Sequence, residues 1–340
     1  MHKKPKYGVL LLNLGTPKSP SVWNVAKYLK QFLNDPRVID IHPIARFFLV
    51  NGIIVPFRSP QSARAYQKLW TREGSPLLFY GKELSKKLQD SLGQDFGVHL
   101  AMRYQEPSIP KVLKEMEKMS YQKIIIFPLF PQYASSTTGS ALEETLKHLS
   151  RWYVIPEFCV ISQYFDNRYF IDAWVELGKK YLENQAYDHV LFSYHGLPIR
   201  QLNKVYQDGK LCEEHFCKKE WNEQNFYCYE AACYETTRKI VHSLNIQNYT
   251  VAFQSRLGKD AWIQPYAEPT IIDLAQRGIK KLLVFSPAFV ADCLETLIEI
   301  GHEYAEIFQE HGGVELTLVH SLNAESPWVD AIKNMILERI

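Results

Sequence analysis

Glycine-rich phosphate loops are missing from this sequence. It has no G-x-G-x-x-G and no G-x-x-x-x-G-K-[ST], and Leu14-Gly15-Thr16-Pro17 fits neither spacing. That argues against nucleotide chemistry. Net charge is scarce too, only +2, with no basic block beyond HKKPK at the start. Nucleic acid is therefore not expected as a partner. No apolar run approaches the length that spans a bilayer, and the opening residues lack the apolar region and cleavage site of a secretory signal. The expectation is a soluble, cytoplasmic protein. Cysteine is sparse, six in 340 residues, and disulfides are disfavoured in that compartment. Apolar residues are abundant at 46%, with 13% aromatic, enough for one large or two medium domains with proper cores.

Strand-like and helix-like runs alternate throughout, the pattern of an α/β fold with mostly parallel sheets. The chain also repeats itself. YGVLLLNLGTP (7–17) is matched by DHVLFSYHGLP (188–198), FGVHLAMRYQEP (96–107) by YTVAFQSRLG (249–258), and QKIIIFPLFPQY (122–133) by KKLLVFSPAFV (280–290). The order is the same in both halves, so two similar Rossmann-like domains with a cleft between them are expected. Residues 1–165 and 166–319 are the two domains, with a cysteine-containing insertion at 205–235. A terminal helix within 320–340 packs on one of them, provisionally the first. The apolar stretch 44–57 (IARFFLVNGIIVPF) reads either as a buried helix and turn or as an exposed lip for a hydrophobic ligand or membrane surface.

Two motifs suggest chemistry. Asp292, Glu295, Glu299 and Glu303 lie in SPAFVADCLETLIEIGHEYAE, the last three spaced by four. On an α-helix that spacing stacks them along one face, where like charges repel unless cations or protons neutralise them. The file is either a route for a divalent cation or protons, or a solvated acidic face. The second motif ends a short buried strand at His195, before Gly196-Leu197-Pro198. Ligands of open α/β folds bind outside the carboxyl ends of strands, and an imidazole there can take a proton near neutral pH.

Four of the cysteines, Cys212, Cys217, Cys228 and Cys233, form a C-x4-C-x10-C-x4-C stretch. Four thiolates suit an iron–sulfur cluster or zinc, and His215 is a further candidate ligand. Arg58, Arg103 and Arg256 follow strand-end or loop signals and suit carboxylate recognition. Tyr104, Tyr133, Trp262 and Phe289 lie near these loops and either offer faces to a flat aromatic ligand or pack in the core.

LLLNLGTP, GSPL (74–77), MRYQEP, FPQYASSTTGS, FSYHGLP, FQSRLGKDAWIQPY and SPAFVADCLETLIEI, in this order, resemble the ferrochelatase family nearly end to end. The resemblance implies a lyase of haem biosynthesis that inserts ferrous iron into a porphyrin held in a cleft between two Rossmann-type domains. It implies His195 as the catalytic histidine and Glu295 as its carboxylate partner. Asp292, Glu299 and Glu303 become the acidic file leading to the site. Arg103, Tyr133, Trp262 and Phe289 become pocket residues, and Arg58 and Ser255 candidates for the propionates. The start LNLGTP is similar to members acting on protoporphyrin. The four cysteines are similar to those of bacterial members with an internal [2Fe–2S] cluster, zinc being the alternative. Cys293 stands where other members often have histidine. Coproporphyrin as substrate, cobalt or nickel as metal, and a porphyrin carrier without chemistry are the rival readings. Contact with a membrane or an upstream haem-synthesis enzyme stays open.

Overall fold

Uninterrupted apolar runs predict strands covered on both faces, as in parallel sheets. The computed structural model describes residues 4–256, 258 and 260–340. Leu257 and Lys259, inside FQSRLGKDAWIQPY, lie outside the described residues. The chain divides into two units. Unit 1 comprises Met1–Phe130, Ala134–Gln163 and Asn323–Ile340, and unit 2 comprises Pro131–Tyr133 and Tyr164–Leu322.

Unit 1 holds β1 (Tyr7–Gly15), β2 (Phe96–Tyr104), β3 (Lys123–Pro128) and β4 (Glu157–Val160), all parallel, in the order β2-β1-β3-β4. Val9, Leu10, Leu11 and Leu12 of β1 are fully buried, so neither sheet face meets water. Around the sheet run α1 (Val22–Leu33), α2 (Pro43–Phe48), a π-helical segment (Leu49–Ile54), α3 (Val55–Leu69), α4 (Pro76–Leu92), α5 (Ile109–Met119) and α6 (Ser140–Leu149). In α5 the buried residues are Ile109, Val112, Leu113 and Met116, the i, i+3, i+4, i+7 stripe of an amphipathic helix. They pack on Leu10, Leu12, Ile124 and Ile126, each burial worth about 1.5–3 kcal/mol. The C-terminal helix Ser326–Leu337 packs on α4, and Lys87 Nζ donates to the Ala324 carbonyl at 2.7 Å.

Unit 2 has the same layout. β5 (His189–His195), β6 (Tyr249–Gln254), β7 (Lys281–Phe285) and β8 (Glu315–Leu318) form a parallel sheet in the order β6-β5-β7-β8. The three repeated sequence pairs thus occupy equivalent strands. Its helices are α7 (Arg168–Asn184), α8 (Ile199–Asn203), α9 (Tyr229–Leu244), α10 (Ala267–Gln276), a π-helix (Glu295–Tyr304) and α11 (Ala305–Glu310). The core joins Leu191, Ala252, Leu282 and Val284 to Ile271, Leu274 and Phe308. The strand order reverses between β5 and β7, the position where open α/β sheets bind ligands. His195 is the last residue of β5.

One local expectation is corrected here. The stretch bearing Glu295, Glu299 and Glu303 is π-helical rather than α-helical. With i→i+5 bonding, residues four apart fall short of a full turn instead of overshooting it. The carboxylates still climb one side, in a skewed line. Anchors from β6, described next, hold both the Glu295 carbonyl and the Glu299 carboxylate.

Candidate functional site

The β5 strand breaks at Gly196 for a steric reason. A Cβ there would lie 2.9 Å from the Gln254 carbonyl oxygen and 3.2 Å from the Trp262 ring. Without one, Gly196 N–H donates to that same carbonyl at 2.8 Å. The close approach seats His195 at the strand end, half-buried, its ring centroid 6.4 Å from Trp262 and 6.3 Å from Phe289. His195 Nδ1 lies 2.6 Å from the Gly196 carbonyl oxygen. A carbonyl only accepts, so Nδ1 carries the proton and the Nε2 lone pair is left as the basic site.

Gln254, 2% exposed, ties this strand end to the π-helix. Its side-chain oxygen accepts from Ser193 Oγ at 2.6 Å. Its Nε2 donates to the Glu295 carbonyl at 3.2 Å and to Glu299 Oε2 at 3.1 Å. Glu299 is further held by Ser255 N at 2.9 Å, Ser255 Oγ at 2.5 Å and Tyr304 OH at 2.9 Å. Each carboxylate oxygen thus accepts two hydrogen bonds, filling its lone pairs. Burial, then the Glu299 charge, pushes the Tyr304 hydroxyl far up, so it stays a donor.

The four acidic residues grade from buried Asp292 through half-buried Glu295 and Glu299 to exposed Glu303. They are not equivalent. Asp292 Oδ1 accepts from Ser321 N at 2.9 Å, and Glu299 is committed as above. Glu295, the first residue of the π-helix, has the Cys293 thiol in hydrogen-bonding contact. Burial foremost, then Glu295, pushes that thiol well up. Ser255, expected at a propionate, directs both its amide and its hydroxyl at Glu299.

Of the other predicted residues, Tyr133 belongs to unit 2 and stacks edge-on against Tyr227 at 5.6 Å. Arg58 and Arg103 belong to unit 1. Arg58 is exposed on α3. Arg103 is engaged: its guanidinium meets Asp35 at 2.8 Å and Ser140 Oγ at 2.7 Å. Tyr104 OH and Ser140 Oγ also donate to Asp35, at 2.9 and 2.5 Å. Burial alone would raise the Asp35 carboxyl. Hydrogen bonds from Ser140, Arg37 N–H and Tyr104, with the Arg103 charge, more than offset it and hold it below the usual range. The stretch 44–57 is not a buried helix: Phe48 is 68% and Phe57 79% exposed, with Ile44, Phe47 and Ile53 exposed beside them. A 620 Å³ concavity in unit 1, lined by Lys27, Lys30, Gln31 and Phe47 among others, contains none of the predicted site residues.

Three of the four clustered cysteines converge. Cys212 Sγ is 3.7 Å from Cys217 Sγ and 3.5 Å from Cys228 Sγ, all three buried. Tyr206 OH lies 2.9 Å from Cys217 Sγ. Hydrogen bonds from Cys212 and Cys217 hold the Cys228 thiol well below its ordinary range, while Cys212 is pushed far up. Buried Glu230, at 3.8 Å from Cys212, is pushed up to about 7 by burial. This donor set suits a thiophilic metal. Cys233 is fully buried outside the three-sulfur group, and His215 stacks on Tyr206 at 3.8 Å beside Asp208. Residue-type reading missed Asp35, Gln254, Tyr304 and Tyr229. Tyr229 follows Cys228 in the sequence, and its hydroxyl donates to the His195 carbonyl at 2.9 Å.

SirB from Bacillus subtilis, solved with Fe3+, shares this architecture at a TM-score of 0.56. It is 10% identical, with 98% of this chain and 95% of that one covered. The protein is thus an α/β protein of the chelatase fold. Residues 6–340 match the ferrochelatase family. The ferrochelatase of Coxiella burnetii (strain CbuK_Q154) is 46% identical over 332 residues, 97% of this chain and 93% of the relative. That of Legionella pneumophila (strain Paris) is 43% identical over 335 residues, 98% and 99% respectively. The chain belongs to the ferrochelatase family and is a metal chelatase.

Proposed function

We propose that this chain inserts ferrous iron into protoporphyrin IX to form protohaem, with His195 Nε2 accepting a pyrrole proton. The carrying observation is the imidazole at the end of β5, its Nδ1 proton fixed by the Gly196 carbonyl and its ring flanked by Trp262 and Phe289. The two N–H protons of a porphyrin must leave before metal enters, and a bent ring presents its nitrogen lone pairs better than a flat one. Trp262 and Phe289 serve as walls that favour the bent form. Glu295 acts as proton relay or transient metal ligand. Glu299, Asp292 and Glu303 supply negative potential along the approach. Glu299 does so as a fixed carboxylate rather than a ligand, because its lone pairs are taken. Arg103 and Tyr133 border the macrocycle, and Arg58 has its exposed guanidinium available for a propionate. Ser255 contributes through Glu299. The cysteine segment holds a metal centre, iron–sulfur or zinc, with a structural or sensing role. The exposed apolar stretch 44–57 is a lip for a hydrophobic ligand or a membrane surface, and the site of action is cytoplasmic.

The test is an anaerobic assay of haem formation from ferrous iron and protoporphyrin, repeated with coproporphyrin and with cobalt. Multiple turnovers with preference for the first pair are expected. Preference for coproporphyrin or cobalt would overturn the substrate assignment, and binding without turnover the reaction. His195→Ala should lower turnover by about 10²–10⁴-fold while porphyrin still binds. Retained turnover removes His195 from the mechanism.

A further inference from the structure

We propose that Gln132 is a positioning residue for porphyrin binding, its buried amide holding Tyr133 in place through Thr236 of α9. This rests on the reading that Tyr133 borders the macrocycle.

The stretch that carries Tyr133 has no regular structure to hold it. β3 ends at Pro128, and the following π-helical turn begins at Ser135. Between them Pro131–Tyr133 belong to unit 2, although Phe130 and Ala134 belong to unit 1. Such a segment takes its position from the individual bonds its groups make. Its anchors lie in unit 2. The Pro131 carbonyl accepts from Tyr164 N–H at 2.9 Å. Gln132 Nε2 donates to Thr236 Oγ1 at 3.0 Å. Tyr133 meets Tyr227 edge-on, ring centroids 5.6 Å apart.

These anchors are unequal. Tyr227 is half-exposed, so its ring gives Tyr133 only one-sided support. Gln132 adjoins Tyr133 in the chain and is 2% exposed, and Thr236 is fully buried. Thr236 Oγ1 lies 2.9 Å from both the Phe165 and the Ala232 carbonyl oxygens. A carbonyl only accepts, so the Thr236 proton turns toward them and its free lone pair faces Gln132. The Gln132 amide must therefore present its N–H on this side.

An apolar side chain would fill the same space with no preferred register. A buried amide is satisfied in one arrangement, and leaving it costs the desolvation of both partners. Slipping Gln132 off Thr236 would carry Tyr133 with it. His195 is held separately, by the Gly196 carbonyl and the close approach of Gly196 to β6. The effect should therefore fall on porphyrin binding and spare proton transfer.

The experiment uses the full-length protein. Protoporphyrin affinity is read from quenching of intrinsic fluorescence, and KM and kcat from anaerobic turnover. Gln132→Leu and Thr236→Val should each raise the porphyrin Kd and KM about tenfold, the cost of one buried hydrogen bond. In both, kcat and the KM for iron should stay within about twofold of wild type. Thr236→Ser, which keeps the hydroxyl, should bind porphyrin like wild type. The double variant should be no weaker than either single one, because both remove the same bond. Far-UV circular dichroism and the denaturation midpoint confirm folding. Should Gln132→Leu fail to fold, the Thr236→Val and Thr236→Ser pair carries the test. Wild-type affinity in folded Thr236→Val, or losses that add in the double variant, would overturn the positioning role. Tyr133→Leu separates this from the underlying reading. If it leaves porphyrin affinity unchanged, Tyr133 does not border the macrocycle and the proposal falls with it. If it weakens affinity while folded Gln132→Leu and Thr236→Val do not, only the positioning role is lost.

Discussion

The carboxyl ends of β1 and β5 begin from one design and finish differently. Both strands are central and both run parallel to two neighbours; β1 ends at Gly15 and β5 is followed at once by Gly196, each glycine pressed against the adjoining strand. A Cβ on Gly15 would lie 2.0 Å from the Tyr104 carbonyl oxygen, as one on Gly196 would crowd that of Gln254. In unit 1 the polar groups around this end close on one another. Asp35 takes hydrogen bonds from Tyr104, Ser140 and Arg103, a buried network with its charges matched. In unit 2 the matching is partial. Gln254, Ser255 and Tyr304 satisfy Glu299, but His195 directs only its Nδ1 at the backbone, and Glu295, four residues before Glu299, stays half-buried. The difference teaches where one architecture stores stability and where it leaves reactive groups. Saturated networks rigidify, and unsaturated ones are poised for substrate. Unit 1 variants should therefore cost folding, and unit 2 variants turnover.

The largest expected effect is on the unit 1 side. Asp35→Ala leaves Arg103 without its buried partner and should cost about 3–5 kcal/mol, read as a lowered denaturation midpoint. Chelation per folded molecule should stay within a few-fold. The pH dependence follows from the lowered Asp35 pKa. A depressed carboxylate stabilises the fold above its unfolded value of about 3.9, and that contribution is lost as pH falls through the folded value. Asp35→Asn should flatten the acid limb of stability below about pH 4. If stability is untouched and turnover collapses, the unit 1 network is part of the site and the contrast fails.

Next is Gln254→Leu. It removes the link between the β5 end and the π-helix, and leaves a lone pair of Glu299 unmatched. A shift of the supporting groups by about 1 Å is enough for a loss on the order of 10² in kcat. The accompanying stability cost is about 1–3 kcal/mol. An unaffected kcat in folded Gln254→Leu would show that the π-helix does not depend on this tether. Gly196→Ala should be milder, about 1–3 kcal/mol of strain, with kcat falling more than porphyrin affinity because His195 is the residue displaced. A variant that loses porphyrin affinity and keeps kcat would place Gly196 in binding instead.

How much of this the residues announced differs between the two ends. The strands were legible because a buried parallel strand reads as an apolar run, and the repeated Gly-x-Pro endings marked which strands correspond. His195 was legible because it terminates such a run. The π winding was not: it depends on which carbonyl each N–H chooses, and residue types four apart look the same in either helix. Nor was the commitment of Glu299, since its donors come from β6 and from the far end of its own helix. Asp35 lies 68 residues from Arg103, and no local pattern pairs them. The convergence of three cysteines rather than four turns on where α9 begins. A start at Tyr229 makes Cys228 a cap and Cys233 part of a packed face.

The smallest expected effect concerns a link between the two chemistries of unit 2. Tyr229 sits next to Cys228, and its hydroxyl donates to the His195 carbonyl. Burial pushes that hydroxyl well up, so it stays protonated throughout the working range. Tyr229→Phe removes the hydrogen bond to the His195 carbonyl and the one with the Cys233 thiol, each worth about 0.5–1.5 kcal/mol, and leaves the three sulfurs in place. The metal content of the cysteine segment should therefore be unchanged while kcat falls by about tenfold or less. The complementary measurement is turnover of the wild-type chain with that metal removed. If the segment acts on His195 through Tyr229, metal removal should lower kcat in wild type and have little further effect in Tyr229→Phe. Equal losses in both would separate the cysteine segment from the β5 end and leave it a purely structural addition to α9.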